Sequence, residues 1–175
     1  MKKNLLKKIA MFAMMGAMAL SLVACGDEKK DESKKSDEKV DIVVGSESFL
    51  GTKFNVPEGF VEQSKDSTSV TYMKSDDVTA FIIAVSGMEG LTEAAVVSQF
   101  DSQIATVFGD QCTSSEVTYN GYTATEWDTN APDGSYKGRS MVIADADADK
   151  LIYIEYVTYS GTLDAYYEFA KSFSY

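Results

Sequence analysis

The chain has 175 residues, enough for one ordinary domain with additional segments, and 45% of them are hydrophobic, as is usual in a globular protein. Acidic residues number 27 and basic residues 16, which gives a net charge of −11, and histidine is absent from the sequence. A surface of this charge repels phosphate backbones, so nucleic-acid binding is not expected. The lack of histidine also removes Ser-His-Asp catalysis and the common zinc sites.

The first 24 residues have the order of a secretory signal peptide. Lys2, Lys3, Lys7 and Lys8 come first, and the apolar stretch 9–23 follows them. This stretch is shorter than the roughly 20 apolar residues that a membrane span needs, and small residues close it. We therefore expect residues 1–24 to be cleaved during export.

The end of this segment reads Leu22, Val23, Ala24 and Cys25, which resembles the lipobox of bacterial lipoproteins. The resemblance implies that the Cys25 thiol accepts a diacylglyceryl group, and that cleavage before Cys25 makes it the new N-terminus. Two or three acyl chains anchor a protein stably, because each buried methylene contributes about 0.8 kcal/mol. The sequence thus predicts a lipid anchor at Cys25 on the extracellular face of the cell membrane. A Gram-positive cell is favoured, and an outer membrane is the alternative.

Residues 25–45 are expected to form a disordered, charged tether behind the lipidated cysteine. Positions 26–39 contain no apolar side chain, so this segment cannot bury surface to offset its chain entropy. Its lysine pairs alternate with acids, which favours a passive spacer over contact with anionic lipid. The folded domain is then expected to span 46–175, where 20 acidic residues stand against 7 basic ones.

The elements of this domain, taken in chain order, predict a single α+β domain. A helix is predicted over 92–108, with Thr92 as its N-cap, Gly109 as its end and an apolar face of Val96, Phe100, Ile104 and Val107. Short turns join consecutive strands, so the sheet is expected to be antiparallel, with two flanking helices packed on it. A second helix is predicted over 163–173, with Leu163, Tyr166, Tyr167 and Ala170 buried, and strands over 49–56, 69–74, 79–86, 113–119, 122–129, 136–144 and 151–159.

Three short segments resemble the PsbP-like family, which includes small bacterial lipoproteins. They are Phe54-Asn55-Val56-Pro57-Glu58-Gly59-Phe60, Gly121-Tyr122-Thr123-Ala124 and Lys171-Ser172-Phe173. The resemblance covers residues 48–174, although the family often has Trp where Phe60 stands here. It implies an antiparallel sheet with flanking helices and no catalytic residue, and some members act as accessory or assembly factors.

Asp145, Asp147 and Asp149 have the spacing of the first three ligands of an EF-hand loop. The pattern then departs from that loop, because Lys150 stands where glycine is needed and Tyr156 where the last glutamate is needed. These three acids are therefore a weak calcium candidate, and a plain polar turn is the favoured interpretation.

Strand aromatics supply the other candidate site. If a binding surface exists, we expect an open sheet face bearing Trp127, Tyr122 and Tyr136, suited to an extracellular protein or a carbohydrate. Cross-strand packing is the favoured alternative, because aromatic residues are common in strands for that reason. With Cys25 lipidated, Cys112 has no partner for a disulfide, and acidic neighbours favour an unreactive thiol.

Together these features predict a non-catalytic binding or accessory module of unknown ligand, with no cofactor. Two alternatives stay open. One is a cell-envelope enzyme that uses a pair of carboxylates, since acids are plentiful. The other is a small solute-binding protein.

Overall fold

The structure is a computed structural model that describes residues 47–76, 78–109 and 112–175. The predicted signal peptide (1–24), the lipidation site Cys25 and the tether (25–45) lie outside the described residues. Within the described ranges, no helix is long and apolar enough to cross a membrane.

The described residues form an antiparallel sheet with two helices, which confirms the predicted single α+β domain. Seven strands pair in the order β3-β4-β5-β9-β8-β7-β6, and β1 and β2 form a separate hairpin. The helices are α1 (Glu93–Phe108) and α2 (Asp164–Ser172). The strands are β1 (Glu47–Phe49), β2 (Thr52–Phe54), β3 (Val61–Lys65), β4 (Ser69–Lys74), β5 (Thr79–Ser86), β6 (Ser114–Tyr119), β7 (Tyr122–Asp128), β8 (Lys137–Asp145) and β9 (Lys150–Thr158).

Both faces of the central strands are covered. Strands β5 and β9 are buried along almost their whole length, which explains their continuous apolar sequences. On one face α1 packs Val96, Phe100 and Ile104 against the sheet. On the other face α2 and the β1–β2 hairpin contribute Phe54 and Phe169 to a second hydrophobic cluster. The sheet is thus the middle layer of the domain.

Helix α1 begins and ends where the sequence predicts. The Thr92 hydroxyl accepts a hydrogen bond of 3.2 Å from the Ala95 N–H, and Gly109 ends the helix with a φ of 87°. The predicted apolar face is wrong at one position, because Val107 is 56% exposed while Phe108 is buried. At 3.6 residues per turn, the position below Ile104 is four residues on, which is Phe108.

The start of the domain differs from the sequence prediction in two respects. The strand predicted over 49–56 is a hairpin, because Leu50 and Gly51 both have positive φ and reverse the chain between β1 and β2. Strand β3 was not predicted at all. All five of its residues are exposed at the edge of the sheet, so it lacks the apolar alternation that marks a half-buried strand.

Candidate functional site

The aromatic residues predicted to form a binding surface do not form one. Trp127 is 0% exposed beneath α1, where its ring centroid lies 6.1 Å from that of Phe100. Its indole N–H donates a hydrogen bond of 2.7 Å to Oδ1 of Asp101. The side chain is therefore part of the core and not of an open sheet face.

Tyr122 lies on the opposite face from Trp127 and is 7% exposed. Its hydroxyl donates a hydrogen bond of 2.6 Å to the backbone carbonyl of Ala170 in α2. Tyr136 is half-buried and packs against Tyr159, with ring centroids 5.6 Å apart. Helices cover both faces of the central sheet, so these aromatic residues pack rather than form an open face.

The three acids predicted as a weak calcium site have different partners. Asp145 accepts a hydrogen bond of 3.1 Å from the Tyr175 hydroxyl. Asp149 accepts two backbone N–H bonds, of 2.8 and 3.0 Å, from the loop before α1, while Asp147 is exposed. Among the described residues, no group of three or more acidic, cysteine or histidine side chains could hold a metal ion. The described residues therefore give no support to the calcium candidate, and a polar turn stays the favoured interpretation.

The free thiol of Cys112 is half-buried after α1. Burial and, to a lesser degree, the Asp128 carboxylate raise the pKa of this thiol. Because the thiolate is the nucleophilic form, this environment lowers the reactivity of the side chain.

A buried polar network lies between the sheet and α2, centred on Glu126. Its Oε2 accepts hydrogen bonds from the hydroxyls of Tyr166 at 2.6 Å and of Tyr119 at 3.0 Å. Arg139 reaches it from the next strand, with Nε 3.5 Å from Oε1 of Glu126 and Nη1 2.8 Å from Oδ1 of Asp128. Burial first, and then the Glu126 charge, raise the pKa of both tyrosines, so they stay protonated donors. The network ties β6, β7, β8 and α2 together.

A second buried carboxyl lies on the α1 face. Glu155 is 2% exposed, and its Oε2 accepts a hydrogen bond of 3.1 Å from the Tyr153 hydroxyl. Its Oε1 has no hydrogen-bond partner among the described residues. Burial raises the pKa of Glu155 to about 8, so the carboxyl is protonated at neutral pH.

Neither Glu126 nor Glu155 is among the site residues predicted from the sequence. For Glu155 a signal was present, because it is the single acid within the apolar run Leu151–Val157 of β9. A lone acid in such a run indicates a buried carboxyl. Glu126 offered no comparable signal, since it alternates with Trp127 as a solvent-facing residue would.

The described residues line two concave sites that are open to solvent, among others. One, of about 540 Å³, lies between the start of α1 and the β8–β9 turn, with an apolar lining from Met88 and Leu91 and acids Glu93 and Asp149. The other, of about 210 Å³, lies beside α2. The acids of the first site favour a cationic or neutral occupant over an anion.

No protein-family model matches this chain, and no curated protein matches it. Among solved structures, the chain is similar to a protein from Bacteroides thetaiotaomicron VPI-5482, with a TM-score of 0.47 and 11% identity over 70% of this chain and 44% of that one. The Ran-binding protein Mog1p of Saccharomyces cerevisiae has a TM-score of 0.47 and 12% identity, over 70% of this chain and 89% of that one. The chain spans less than half the length of the Bacteroides protein. Likenesses with TM-scores under 0.5 carry no inference about this chain.

Proposed function

We propose that this chain is a bacterial lipoprotein, anchored through Cys25 to the extracellular face of the cell membrane, whose folded domain is a non-catalytic binding or accessory module. The observation that carries the proposal is the order Leu22-Val23-Ala24-Cys25, directly after four lysines and the apolar stretch 9–23. Each part has a role in export, cleavage or acylation. Acyl chains on Cys25 anchor the protein without any membrane-binding surface on the domain.

The tether and the charge of the domain support this arrangement. The tether that the sequence predicts would separate the domain from the lipid headgroups, because a flexible chain of about 20 residues has a root-mean-square span of about 25 Å. From position 46 onward the net charge is −13, so anionic headgroups repel the domain. A long polar tether between the anchor and such a domain is therefore physically consistent with a module that faces partners outside the cell.

We also propose that the fold is PsbP-like, and the packing of the three motif segments supports this. The rings of Phe54 and Phe173 stack with centroids 6.4 Å apart. Tyr122 meets Phe173 edge-on at 5.7 Å. The three motif segments, although distant in sequence, thus contribute to one aromatic cluster. Packing in this cluster is the structural role of their aromatic residues.

The two buried carboxyls do not supply the pair that a carboxylate-pair enzyme would need. Glu126 faces α2 and Glu155 faces α1, so the sheet separates them and no substrate could contact both. Glu126 is also occupied by two tyrosines and Arg139. Paired carboxylate catalysis needs both groups on one substrate.

The anchor is tested by comparing the two cysteines of the chain. In a Gram-positive host fed an alkyne-tagged palmitate analogue, we expect the wild-type protein to be labelled, to fractionate with membranes and to be cleaved by protease added to intact cells. Cys25→Ala should lose the label and the membrane association. Cys112→Ala is the matched control and should keep both. Label retained by Cys25→Ala, or lost by Cys112→Ala, would contradict the proposed anchor.

A further inference from the structure

The two edges of the seven-stranded sheet differ in how well they are protected. On β3 the register shifts between Glu62 and Ser64, and Lys65 lies on the same strand. Bulges and lysines are devices that block strand addition. On β6, six consecutive pairs with β7 run from Ser114 to Tyr119 without a shift, and the strand has neither proline nor lysine. Among the described residues, β6 is therefore the less protected edge, with Glu116 as its single charged side chain.

The turn after β6 determines which backbone groups point outward. Asn120 and Gly121 both have positive φ, and they close the pair between Tyr119 and Tyr122. In a two-residue hairpin the two residues of this closing pair are hydrogen-bonded to each other through their backbones. Along an antiparallel strand, residues whose backbone groups bond to the partner strand alternate with residues whose backbone groups point away from it. Glu116 and Thr118 consequently direct their N–H and C=O groups away from β7. No strand among the described residues pairs with this side of β6.

The charge of the two edges also differs. Residues 114–128, which form β6 and β7, contain three carboxylates and no lysine or arginine. Two of these carboxylates, Glu126 and Asp128, share the guanidinium of Arg139 on β8, and Glu116 is the charged residue of β6 itself. Residues 61–74, which form β3 and β4, contain two acids and two lysines. Asp101 adds a further carboxylate beside β7, where it accepts the Trp127 indole hydrogen bond. With Arg139 included, the acids at the β6 side of the sheet still outnumber the basic residues, so this side attracts a positively charged strand, whereas the β3 edge is balanced.

The same charge disfavours a second copy of this chain as the occupant. Two domains of net charge −13 repel each other. Antiparallel self-pairing of β6 centred on Glu116 would place the two Glu116 carboxylates directly opposite each other, which is destabilising.

We propose that β6 is a docking edge to which an extended segment of a partner protein, with lysine or arginine at alternate positions, adds as an eighth strand. Main-chain hydrogen bonds to Glu116 and Thr118 supply the affinity, and the Glu116 carboxylate together with the net negative charge of the domain selects the basic side chains. This inference deepens the proposed function, because it names the partner class of the same module.

The test uses the full chain in detergent micelles and a fluorescent ten-residue peptide of alternating lysine and valine, followed by fluorescence anisotropy. One control peptide alternates glutamate and valine, and another is the lysine peptide with every amide N-methylated. We expect both control peptides to bind at least tenfold more weakly.

Thr118→Pro removes one outward N–H, and Glu116→Lys reverses the local charge, so each should weaken binding of the lysine peptide at least tenfold. Glu62→Lys on β3 is the matched control and should bind within twofold of wild type.

Several results would overturn the inference. Equal binding of the N-methylated peptide, or undiminished binding to both Thr118→Pro and Glu116→Lys, would mean that charge alone attracts the peptide. A dimer of the free chain that Thr118→Pro dissociates would assign the edge to a second copy. Absence of binding to the lysine peptide would refute the docking edge, while palmitate labelling at Cys25 would still test the lipoprotein proposal separately. Trp127 fluorescence verifies that each variant is folded, and Glu116→Lys keeps every backbone group of the edge.

Discussion

The hydroxyl of Tyr153 donates a hydrogen bond of 3.1 Å to Oε2 of Glu155, two positions further along β9 on the same face of the sheet. Each residue is 2% exposed. Burial is the cause that raises the pKa of Glu155, and the Tyr153 bond opposes it only in part. The domain therefore folds around a neutral carboxylic acid, although it carries many ionised ones on its surface.

Replacing this acid should change how stability depends on pH. The ordinary pKa of 4.5 rises to about 8 in the folded protein, so the stabilisation is complete below pH 4.5 and is lost as pH rises towards 8. At about 1.4 kcal/mol per pH unit, the loss over this interval is on the order of 5 kcal/mol. Glu155→Gln should therefore be the more stable protein at pH 8 by several kcal/mol and close to wild type at pH 4.5. Urea unfolding at pH 4.5, 6.5 and 8 measures this, and parallel curves for the two proteins would contradict it.

Removing one member of the Glu126 network should be costly, because the remaining groups stay buried. Arg139→Met leaves the Glu126 carboxylate without its cation and should destabilise the domain by roughly 3 kcal/mol. Combining it with Glu126→Gln should cost less than the two single changes summed, since the second change removes the unpaired charge. Denaturant unfolding of the four proteins gives the coupling free energy. Additive costs would show that Arg139 and Glu126 are not energetically coupled.

The single tryptophan provides a direct test of the buried aromatic cluster. Trp127 is 0% exposed, so its fluorescence in the folded protein should resist quenching by iodide and become quenchable in urea. Asp101→Ala leaves the indole N–H without its acceptor and should cost about 1–3 kcal/mol. Ready iodide quenching of the folded wild-type protein would instead restore the exposed aromatic face that the structure excludes.

The sequence predicts well those elements whose residues face a core on a regular period. Both helices, and the strands beginning at Ser69, Thr79 and Tyr122, follow from apolar periodicity and from the Asn120–Gly121 turn. Strand β3 cannot be predicted in this way, because an exposed edge strand has no buried face and therefore no apolar periodicity in its sequence. What makes these residues a strand is their backbone pairing with β4, and this pairing exists only in the folded sheet.

The candidate sites were harder to predict, because they depend on what covers each face of the sheet. Alternation places Tyr122 and Trp127 on opposite faces, but it does not show that α1 and α2 cover both. Likewise, the spacing of Asp145 and Asp149 resembles a metal loop, whereas backbone N–H groups from a loop some sixty residues earlier in the chain occupy Asp149. Contacts between distant segments determine the role of such residues, and these contacts cannot be read from the local spacing of the sequence.

Asp149 is expected to hold the β8–β9 turn to the loop before α1 rather than to act as a calcium ligand. Its Oδ1 accepts the N–H groups of Met88 and Glu89, so Asp149→Ala leaves two donors without their acceptor and should destabilise the domain by about 1–3 kcal/mol. Asp147→Ala, in the same turn but exposed, is the matched control and should be nearly neutral. Thermal unfolding of wild type and both variants, with and without millimolar Ca²⁺, separates the two interpretations. A calcium ligand would raise the wild-type melting temperature by mass action, and this increase would disappear in Asp147→Ala. We expect that calcium leaves the melting temperature of each of the three proteins unchanged, because the acids of this turn bond to separate partners.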